Sequence, residues 1–316
     1  MMQTLDSSKS CTAQFADQHI HGLAGVDFAT STTSDIRAAL ALLAARRTTQ
    51  VTASIPTVQQ QQVPAILARL GPLFHEGLLS GIHFEGPFLA PAYAGAHSRQ
   101  ALLAPGELAG QNFLATVLKH QELAPMITMM TVAPELVGFE ALVQQLVAYG
   151  IAPALGHTNA AYEQMRDGID LVFQLTGRPV IITHLYNAMR GFHHREPGPL
   201  LAVIEAAQRG MVSIELIADG HHVHAGVISW WLTTYPTAVR LVSDASAATL
   251  PSGCKPLTQS TPMLGLTSLG YPSSGSPMLA DGYTRASGAS DLATIHDDLV
   301  AHGLDHAAVC AAMRSH

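Results

Sequence analysis

The amino-acid sequence predicts an α/β fold for this chain, a (β/α)8 barrel of the TIM type. Strand-like and helix-like segments alternate from end to end, which is the pattern of βα units around a parallel sheet. Five of the strand-like runs are followed by histidines or acidic residues. Because the carboxyl ends of barrel strands lie on one face, these polar side chains are expected to meet where such barrels carry out chemistry.

Eight short runs of mainly apolar residues predict the strands of the barrel. Each run is separated from the next by a helical pattern or by turn residues, so the strands are expected to be parallel. In chain order the predicted strands are residues 13–15, 51–55, 78–84, 126–132, 151–155, 180–182, 211–217 and 239–242.

The segments between these runs have the apolar spacing and the end signals of helices. Ser34 is the expected N-cap of the first helix, and Gly150 and Gly210 are expected to follow the ends of two others. The predicted helices are residues 34–47, 59–70, 109–122, 139–149, 160–166, 200–208 and 225–234, with 291–302 and 305–313 after the last strand.

Two segments without a clear period are expected to be loops near the site. The loop after the third strand runs to about Gly106 and is rich in Gly, Pro and Ala, as loops that build binding sites often are. Residues 251–281 are rich in Ser, Pro, Gly and Thr. They are expected to form a loop or a lid rather than a linker, because only one or two helices follow them.

Composition and charge narrow the class of protein. The 316 residues are 48% apolar and 12% charged, which supplies a large core, and a net charge of −7 without basic runs argues against nucleic-acid binding. Residues 1–12 form a polar segment without the apolar run of a signal peptide, and the apolar stretch 38–45 is too short to span a membrane. A cytoplasmic protein that binds no membrane is expected. Three widely spaced cysteines indicate neither a disulfide framework nor a CxxC zinc site.

Histidine is unusually common, since the 17 histidines outnumber the 16 lysines and arginines together. His19 and His21 lie on the same side of an extended strand, so both side chains can bind one cation. Taken alone, an HxH pattern is weak, and ordinary structural histidines are the favoured alternative. Asp17 is on the same face and is expected to orient one of the two imidazoles.

Glu85, His157 and His184 each follow an apolar run and precede a polar turn. One histidine in such a place would be unremarkable, but two at equivalent positions of consecutive strands favour metal ligation over coincidence. Imidazoles and carboxylates gathered at one end of a barrel suit a hydrolytic divalent metal such as zinc.

Four further residues are candidates for catalysis or for binding an anion. His97, in the long loop, can reach in to polarise a carbonyl, although an exposed loop histidine is an equal alternative. Asp244 ends the eighth strand and can take a proton from a metal-bound water, where a helix cap would be its ordinary role. Arg195 and His222 can bind a phosphate or carboxylate, the ordinary alternative for Arg195 being a surface pair with Glu196.

The segments that carry these residues resemble the N-acetylglucosamine-6-phosphate deacetylase family of the amidohydrolase superfamily. The resemblance covers roughly residues 19–245, in the family's order, and the pair THLYNAM and HHREPG is its most specific part. The matching segments are HFEGPF (83–88), GAH (95–97), APE (133–135), GHTNA (156–160), THLYNAM (183–189), HHREPG (193–198), ADGHHVH (218–224) and VSDA (242–245).

The resemblance implies a metal centre and a catalytic pair. It implies that Glu85, His157 and His184 hold the principal metal ion, and that His19 and His21 hold a second ion in members with HxH. One or two divalent ions are therefore expected, with zinc favoured and iron or another metal as the alternative. The resemblance also implies that Asp244 is the catalytic acid and base and that His97 helps to polarise the acetamide carbonyl.

The resemblance further implies an enzyme of amino sugar metabolism that hydrolyses N-acetylglucosamine 6-phosphate to glucosamine 6-phosphate and acetate. Asn187, Ala188 and His222 match contacts to the sugar phosphate. Arg195 matches a phosphate ligand that the neighbouring subunit of a homodimer offers.

Two departures from the family and two alternative functions accompany this interpretation. Family members usually carry strands before the HxH strand and after the last helices, which together form a small β-sandwich. Here residues 13–316 are expected to be a single catalytic domain without that accessory sandwich.

The alternative functions are an amidohydrolase for a different amide, galacto-configured or unphosphorylated, and an inactive relative that binds metal or sugar phosphate. Arg195 and His222 discriminate among amide substrates, because they matter only for a phosphorylated one.

Overall fold

Eight parallel strands pair in chain order and form the predicted barrel. The computed structural model describes residues 14–259, 261–270, 275–279 and 284–314, and the predicted polar segment 1–12 lies outside them. The barrel strands are β1 (Phe15–Ile20), β2 (Thr48–Ile55), β3 (Gly81–Glu85), β4 (Ile127–Val132), β5 (Ala152–Leu155), β6 (Val180–Ile182), β7 (Val212–Ile217) and β8 (Val239–Val242).

Helices alternate with these strands and pack their apolar faces against the sheet. Ile36 and Leu43 of the first helix, for example, are fully buried. The helices are α1 (Thr33–Ala45), α2 (Val63–His75), α3 (Leu108–Leu123), α4 (Phe139–Ala148), α5 (Tyr162–Thr176), α6 (Gly198–Gln208), α7 (Ala225–Thr234), α8 (Leu292–Ala301) and α9 (His306–Ala312). No helix in the described part of the chain is long and apolar enough to cross a bilayer.

The barrel closes between β1 and β8 at the carboxyl ends of the two strands. The backbone N–H of Asp244 donates to the carbonyl of His19 at 2.9 Å, and the N–H of His21 donates to the carbonyl of Ala245 at 2.7 Å. These bonds hold the residues of the HxH pattern beside Asp244. The fold class predicted from the sequence is confirmed.

The first strand differs from its prediction. It spans Phe15–Ile20 rather than residues 13–15, so His19 lies inside the strand and not after it. The polar run Asp17-Gln18-His19 concealed the strand, because its buried polar side chains break the apolar pattern. Asp17 does not orient an imidazole. Its carboxylate accepts the N–H groups of Ser243 at 3.2 Å and of His19 at 3.4 Å, and burial raises its pKa to about 7.

Three helix predictions need correction. α2 spans Val63–His75 rather than residues 59–70, because Gln60–Gln62 form a separate 3-10 turn before it. Thr32, not Ser34, caps α1, because its hydroxyl accepts the N–H of Asp35 at 3.2 Å. α5 continues to Thr176 instead of ending at residue 166. Gly168, which weakened the helical pattern, lies where α5 touches the loop after β4, and a Cβ there would come within 2.8 Å of Pro134.

The described part of the predicted lid folds over the carboxyl ends of the strands. It contains a short antiparallel pair, Met263–Leu264 with Thr267–Ser268. The carboxylate of Asp27 accepts the N–H of Gly265 at 3.1 Å, and the Thr267 hydroxyl donates to the carbonyl of Ala96 at 3.0 Å. Among the described residues, the other strands outside the barrel are Gly22–Leu23 and Val26–Asp27. The absence of an accessory β-sandwich stays a prediction.

Candidate active site

A cavity of about 250 Å³ opens at the carboxyl ends of the strands. The long loop after β3 forms one wall, through Gly95 and His97, and the lid contributes Leu264. The cavity is also lined by most of the residues that the sequence singled out: His21, Glu85, His157, His184, Asn187, Ala188, His222 and Asp244. His19 lies directly beneath, fully buried.

Strained backbone aims three of these side chains into the cavity. His157, His184 and Asp244, the residues that follow the ends of β5, β6 and β8, have φ angles of 47°, 26° and 49°. Residues other than glycine rarely adopt this left-handed region, at a cost of roughly 1–3 kcal/mol each. Among the described residues no helix begins after Asp244 before α8, so Asp244 is not a helix cap. The surrounding contacts must hold its unusual backbone.

The segment after the lid supplies those contacts for Asp244. The N–H of Gly288 donates to the carbonyl of Asp244 at 2.7 Å, and Gly288 pairs with Ala245 as a parallel bridge. The backbones approach so closely that a Cβ on Gly288 would lie 1.9 Å from the carbonyl oxygen of Ser243. Position 288 thus requires glycine.

Glu85 lies at the centre of the polar cluster, as the last residue of β3. Its Oε1 is 3.0 Å from Nε2 of His157 and 2.8 Å from Nε2 of His184, and these two nitrogens are 3.2 Å apart. Nδ1 of His157 donates to the carbonyl of Tyr93 at 2.8 Å, which leaves a lone pair on its Nε2. Ligand atoms around a tetrahedral zinc ion are about 3.3 Å apart, from metal–nitrogen distances of about 2.0–2.1 Å. The three atoms fit such an ion.

His19 and His21 present lone pairs on the other side of Glu85. Nδ1 of His19 donates to Glu215 Oε2 at 2.9 Å, and Nδ1 of His21 donates to the carbonyl of Ser54 at 3.1 Å. Each Nε2 therefore points at Glu85, at 3.4 Å from His19 and 3.1 Å from His21. Nε2 of His19 is buried and has no hydrogen-bond partner among the described residues. A bound cation would satisfy it, so these donors also fit a divalent metal.

The charges in the cluster also support the binding of a cation. Burial lowers the pKa of both imidazoles, but for His19 the carboxylates of Glu85 and Glu215 outweigh burial and raise the pKa well above its ordinary value. For His21, hydrogen bonds to Asp244 and Glu85 raise the pKa to about 9. Buried carboxylates in this number attract a positive charge, which either protons or a metal ion can supply.

The two acids of the cluster are held ionised. Burial raises the pKa of Glu85, but the imidazoles of His19, His97 and His157 outweigh burial and hold the pKa well below its usual range. For Asp244, the hydrogen bond with His21 and the charge of His19 likewise lower the pKa against burial. Asp244 is thus a carboxylate at neutral pH and can accept a proton.

His97 differs from the other imidazoles because a fixed donor sets its tautomer. The backbone N–H of Thr57 donates to Nδ1 of His97 at 3.0 Å, so the ring proton is on Nε2. That N–H faces Glu85 Oε2 at 3.1 Å. Burial lowers the pKa of His97 to about 4 despite the carboxylate. His97 is close enough to Glu85 and His157 to be a metal ligand, but this tautomer makes it a neutral hydrogen-bond donor facing the cavity.

Sequence reasoning missed two buried polar residues beneath the cluster. Glu215, inside β7, binds His19 and also accepts the N–H of His184 at 3.3 Å. His83, inside β3, contacts the Ser54 hydroxyl at 2.9 Å and packs edge-on against the ring of His19. Both are polar residues in the middle of apolar strands, and that interruption is the signal that could have revealed them.

Three of the residues expected to contact a sugar phosphate line the cavity. Asn187, Ala188 and His222 line it, and Nδ1 of His222 donates to Asp219 at 2.9 Å. Burial raises the pKa of Asp219, but the bond and charge of His222 lower it to about 2. Arg285, which the sequence did not single out, also lines the cavity and donates to the Ser276 hydroxyl at 2.7 Å.

Arg195 is not among the residues that line the cavity. It is exposed on the loop after β6, where its guanidinium lies 3.0 Å from Nε2 of His194. Glu196, the ordinary partner considered for it, pairs instead with Arg190. Phe192, on the same loop, is 56% exposed. This loop is the part of the predicted site that the fold leaves outside the cavity.

Comparison with known proteins identifies relatives of this chain. No family model matches it. It is 32% identical over 262 residues to N-acetylglucosamine-6-phosphate deacetylase from Rattus norvegicus, covering 80% of this chain and 58% of that protein. It is also 32% identical to N-acetylgalactosamine-6-phosphate deacetylase from Escherichia coli O157:H7, covering 78% of this chain and 63% of that protein. The chain therefore spans about three fifths of the curated relatives it matches.

Solved structures give a longer match. The crystal structure of N-acetyl-D-glucosamine-6-phosphate deacetylase from Mycobacterium smegmatis superposes with a TM-score of 0.80 at 31% identity, covering 96% of this chain and 75% of that one. A mutant of the same enzyme, solved in complex with N-acetyl-D-glucosamine-6-phosphate, superposes with a TM-score of 0.81 at 30% identity, with the same coverage.

Proposed function

Since the chain belongs to the N-acetylglucosamine-6-phosphate deacetylase family, we propose that it hydrolyses the acetamide of N-acetylglucosamine 6-phosphate to glucosamine 6-phosphate and acetate. One observation carries this proposal. Ionised Asp244, the neutral donor His97 and the lone pairs around Glu85 converge on one cavity, which Asn187 and His222 also line. The cavity thus combines groups for opening an amide with groups for binding a sugar phosphate.

The metal centre of this proposal uses the donors described above. Glu85, His157 and His184 would hold the principal ion, and His19 and His21 would hold a second ion with Glu85. When bound, a divalent metal supplies positive charge that polarises the amide carbonyl and makes a water easier to deprotonate. We propose zinc, because nitrogen and carboxylate donors at these spacings suit it.

Asp244 carries the proton in both halves of the reaction. As a carboxylate it accepts a proton from the water whose oxygen forms the new bond to the acetyl carbon. When the carbon–nitrogen bond breaks, the same oxygen returns that proton to the departing amine. The hydrogen bond from the N–H of Gly288 to the carbonyl of Asp244 holds the backbone that carries this carboxylate in place for both transfers.

His97 assists by donating from Nε2 to the acetamide oxygen, where negative charge develops as water adds. A donor fixed in advance is the arrangement that stabilises such charge most effectively. Thr57 provides the preorganisation, because its N–H prevents the ring from adopting the other tautomer.

The phosphate would lie against Asn187, Ala188 and His222. We propose that the protein is a homodimer in which Arg195 of the partner subunit reaches this phosphate, because Arg195 is exposed and is not among the residues that line this cavity in its own chain. The cytoplasmic location expected from the sequence stays a prediction. Replacing Arg195 with alanine should raise KM for the phosphorylated substrate, and an unchanged KM would refute the dimer contact.

Acetate release from three substrates tests the proposed activity. After reconstitution with Zn²⁺, the protein should act on N-acetylglucosamine 6-phosphate faster than on unphosphorylated N-acetylglucosamine. The Escherichia coli relative favours N-acetylgalactosamine 6-phosphate as the second candidate substrate, so it is the third compound. Equal rates with and without phosphate would indicate a different amidohydrolase. A folded, metal-loaded protein that released no acetate would indicate an inactive binding relative.

A further inference from the structure

A second cluster of metal-ligand side chains lies on α8 and α9, outside the active site. His296 is on α8, and His306 and Cys310 are four residues apart on α9, so their side chains lie on one face of that helix. Cys310 Sγ is 3.5 Å from Nε2 of His296 and 3.6 Å from Nε2 of His306. The three atoms all lie within 4.8 Å of one another.

The two sulfur–nitrogen separations match those of ligands around zinc. With zinc–sulfur distances of about 2.3 Å and zinc–nitrogen distances of about 2.0–2.1 Å, a tetrahedral ion holds sulfur and nitrogen about 3.5 Å apart. Hydrogen bonding of the three groups would require the thiol to donate to His296 and the sulfur to accept from His306, and a thiol is a weak donor and a weak acceptor. A metal ion in contact with the sulfur and both nitrogens would satisfy all three atoms.

A carboxylate orients one of the two imidazoles toward the sulfur. Nδ1 of His296 donates to Asp297 Oδ1 at 2.7 Å, so its Nε2 carries the lone pair that faces Cys310. Arg47 donates to the same carboxylate oxygen at 2.9 Å and fixes its position. A carboxylate behind a ligating histidine is the usual outer contact of protein metal sites.

The surroundings suit a structural ion with access from solvent. His296 and Cys310 are 5% and 4% exposed, whereas His306 is half-buried and so reaches solvent. The ring of Phe15 packs against His296 at 5.4 Å between centroids. Since Phe15 begins β1, the cluster lies at the amino ends of the strands, the face of such barrels associated with stability rather than catalysis.

We propose that His296, His306 and Cys310 bind one zinc ion, with water as the fourth ligand, and that this ion ties α8 to α9 at the base of the barrel. On binding, the Cys310 thiol releases its proton to solvent and its sulfur forms the bond to zinc. The mixed sulfur and nitrogen donors favour zinc over magnesium or calcium, which prefer oxygen. This site is independent of the deacetylase activity proposed above.

Cobalt substitution tests the site, because only a thiolate ligand gives a near-ultraviolet sulfur-to-cobalt charge-transfer band. The protein is freed of metal with a chelator and titrated with Co²⁺, and the band should grow and then saturate. Added Zn²⁺ should remove it. Cys310→Ser should abolish the band, whereas Cys254→Ser, the matched control, should retain it. Glu85→Gln should also retain it, which separates this site from the active site.

A second variant protects the test from a folding defect in Cys310→Ser. His306 is half-buried, so His306→Ala should keep the fold, checked by circular dichroism, while weakening Co²⁺ binding by more than about tenfold, the least that losing even an outer contact costs. The proposal is overturned if the folded wild-type protein shows no band. It is equally overturned if Cys310→Ser or His306→Ala binds Co²⁺ like the wild type.

Discussion

Glu215 offers the sharpest test of how the buried polar groups support the proposed metal centre. The change Glu215→Gln keeps the shape of the side chain but removes its charge. Glu215 Oε2 accepts Nδ1–H of His19 at 2.9 Å and the N–H of His184 at 3.3 Å, so it orients one ligand from each side of Glu85. Because the amide oxygen can still accept, the variant should fold with its imidazoles close to their places.

The size of the effect follows from the loss of charge. A hydrogen bond to a charged group contributes roughly 1.5–3 kcal/mol and a neutral one roughly 0.5–1.5 kcal/mol, a difference of about 1–1.5 kcal/mol. This corresponds to about 5- to 13-fold weaker metal binding, and losses of an outer contact reach about 100-fold in other proteins. The neutral amide also makes the His19 imidazole less basic, because Glu215 is one of the two carboxylates that raise its pKa.

The assay is competition for Zn²⁺ with a chromophoric chelator, followed by acetate release at saturating metal. Glu205→Gln is the matched control, since Glu205 accepts the Tyr162 hydroxyl at 2.6 Å on the outside of the barrel. The control should bind Zn²⁺ like the wild type. If Glu215→Gln bound Zn²⁺ with wild-type affinity, the supporting role assigned to Glu215 would be refuted.

Three further predictions concern groups around the cavity. His97→Ala should lower kcat by about 10²- to 10³-fold. His97→Gln keeps an N–H donor and should lower kcat less. Equal losses of kcat in the two variants would show that hydrogen-bond donation is not the role of His97. Because the pKa of Asp219 is held at about 2 in the fold, its carboxylate contributes about 2 kcal/mol of stability above pH 4, lost as pH falls toward 2. Asp219→Asn should therefore lower the free energy of unfolding in urea at pH 6 but hardly at pH 2, and an equal loss at both would contradict this. Gly288→Ala places a Cβ 1.9 Å from the Ser243 carbonyl oxygen and should destabilise the fold by about 1–3 kcal/mol. kcat should also fall, because Asp244 shifts. A variant with the melting temperature and turnover of the wild type would contradict this prediction.

Periodicity in the sequence was sufficient to predict the barrel, because seven of its eight strands are apolar runs bounded by turns. The first strand was misplaced because Asp17 and His19 are buried inside it, and their burial depends on neighbouring strands rather than on local sequence. Glu215 was not predicted as a site residue for the same reason, since its burial also depends on neighbouring strands. Glu215 is a polar residue within the apolar strand β7, and only the fold shows that its carboxylate contacts His19.

The site was predictable where its residues follow strands and much less so elsewhere. Glu85, His157, His184 and Asp244 could be grouped from the sequence because the carboxyl ends of barrel strands converge. Arg285 and Gly288 could not, since they reach the site through a segment with no regular pattern after the lid. The cluster of His296, His306 and Cys310 depends on how α8 packs against α9, which spacing along the chain does not reveal.

The central claim, that Asp244 transfers the proton in metal-dependent deacetylation, is tested by Asp244→Asn. Asparagine tolerates the positive φ of 49° at this position, so the backbone should remain in place. With metal content measured on the same samples, the wild type should release acetate from N-acetylglucosamine 6-phosphate. The variant should retain its metal and lose about 10²- to 10⁴-fold in kcat, the range for removal of a general acid and base. Wild-type turnover by the metal-loaded variant would contradict the mechanism.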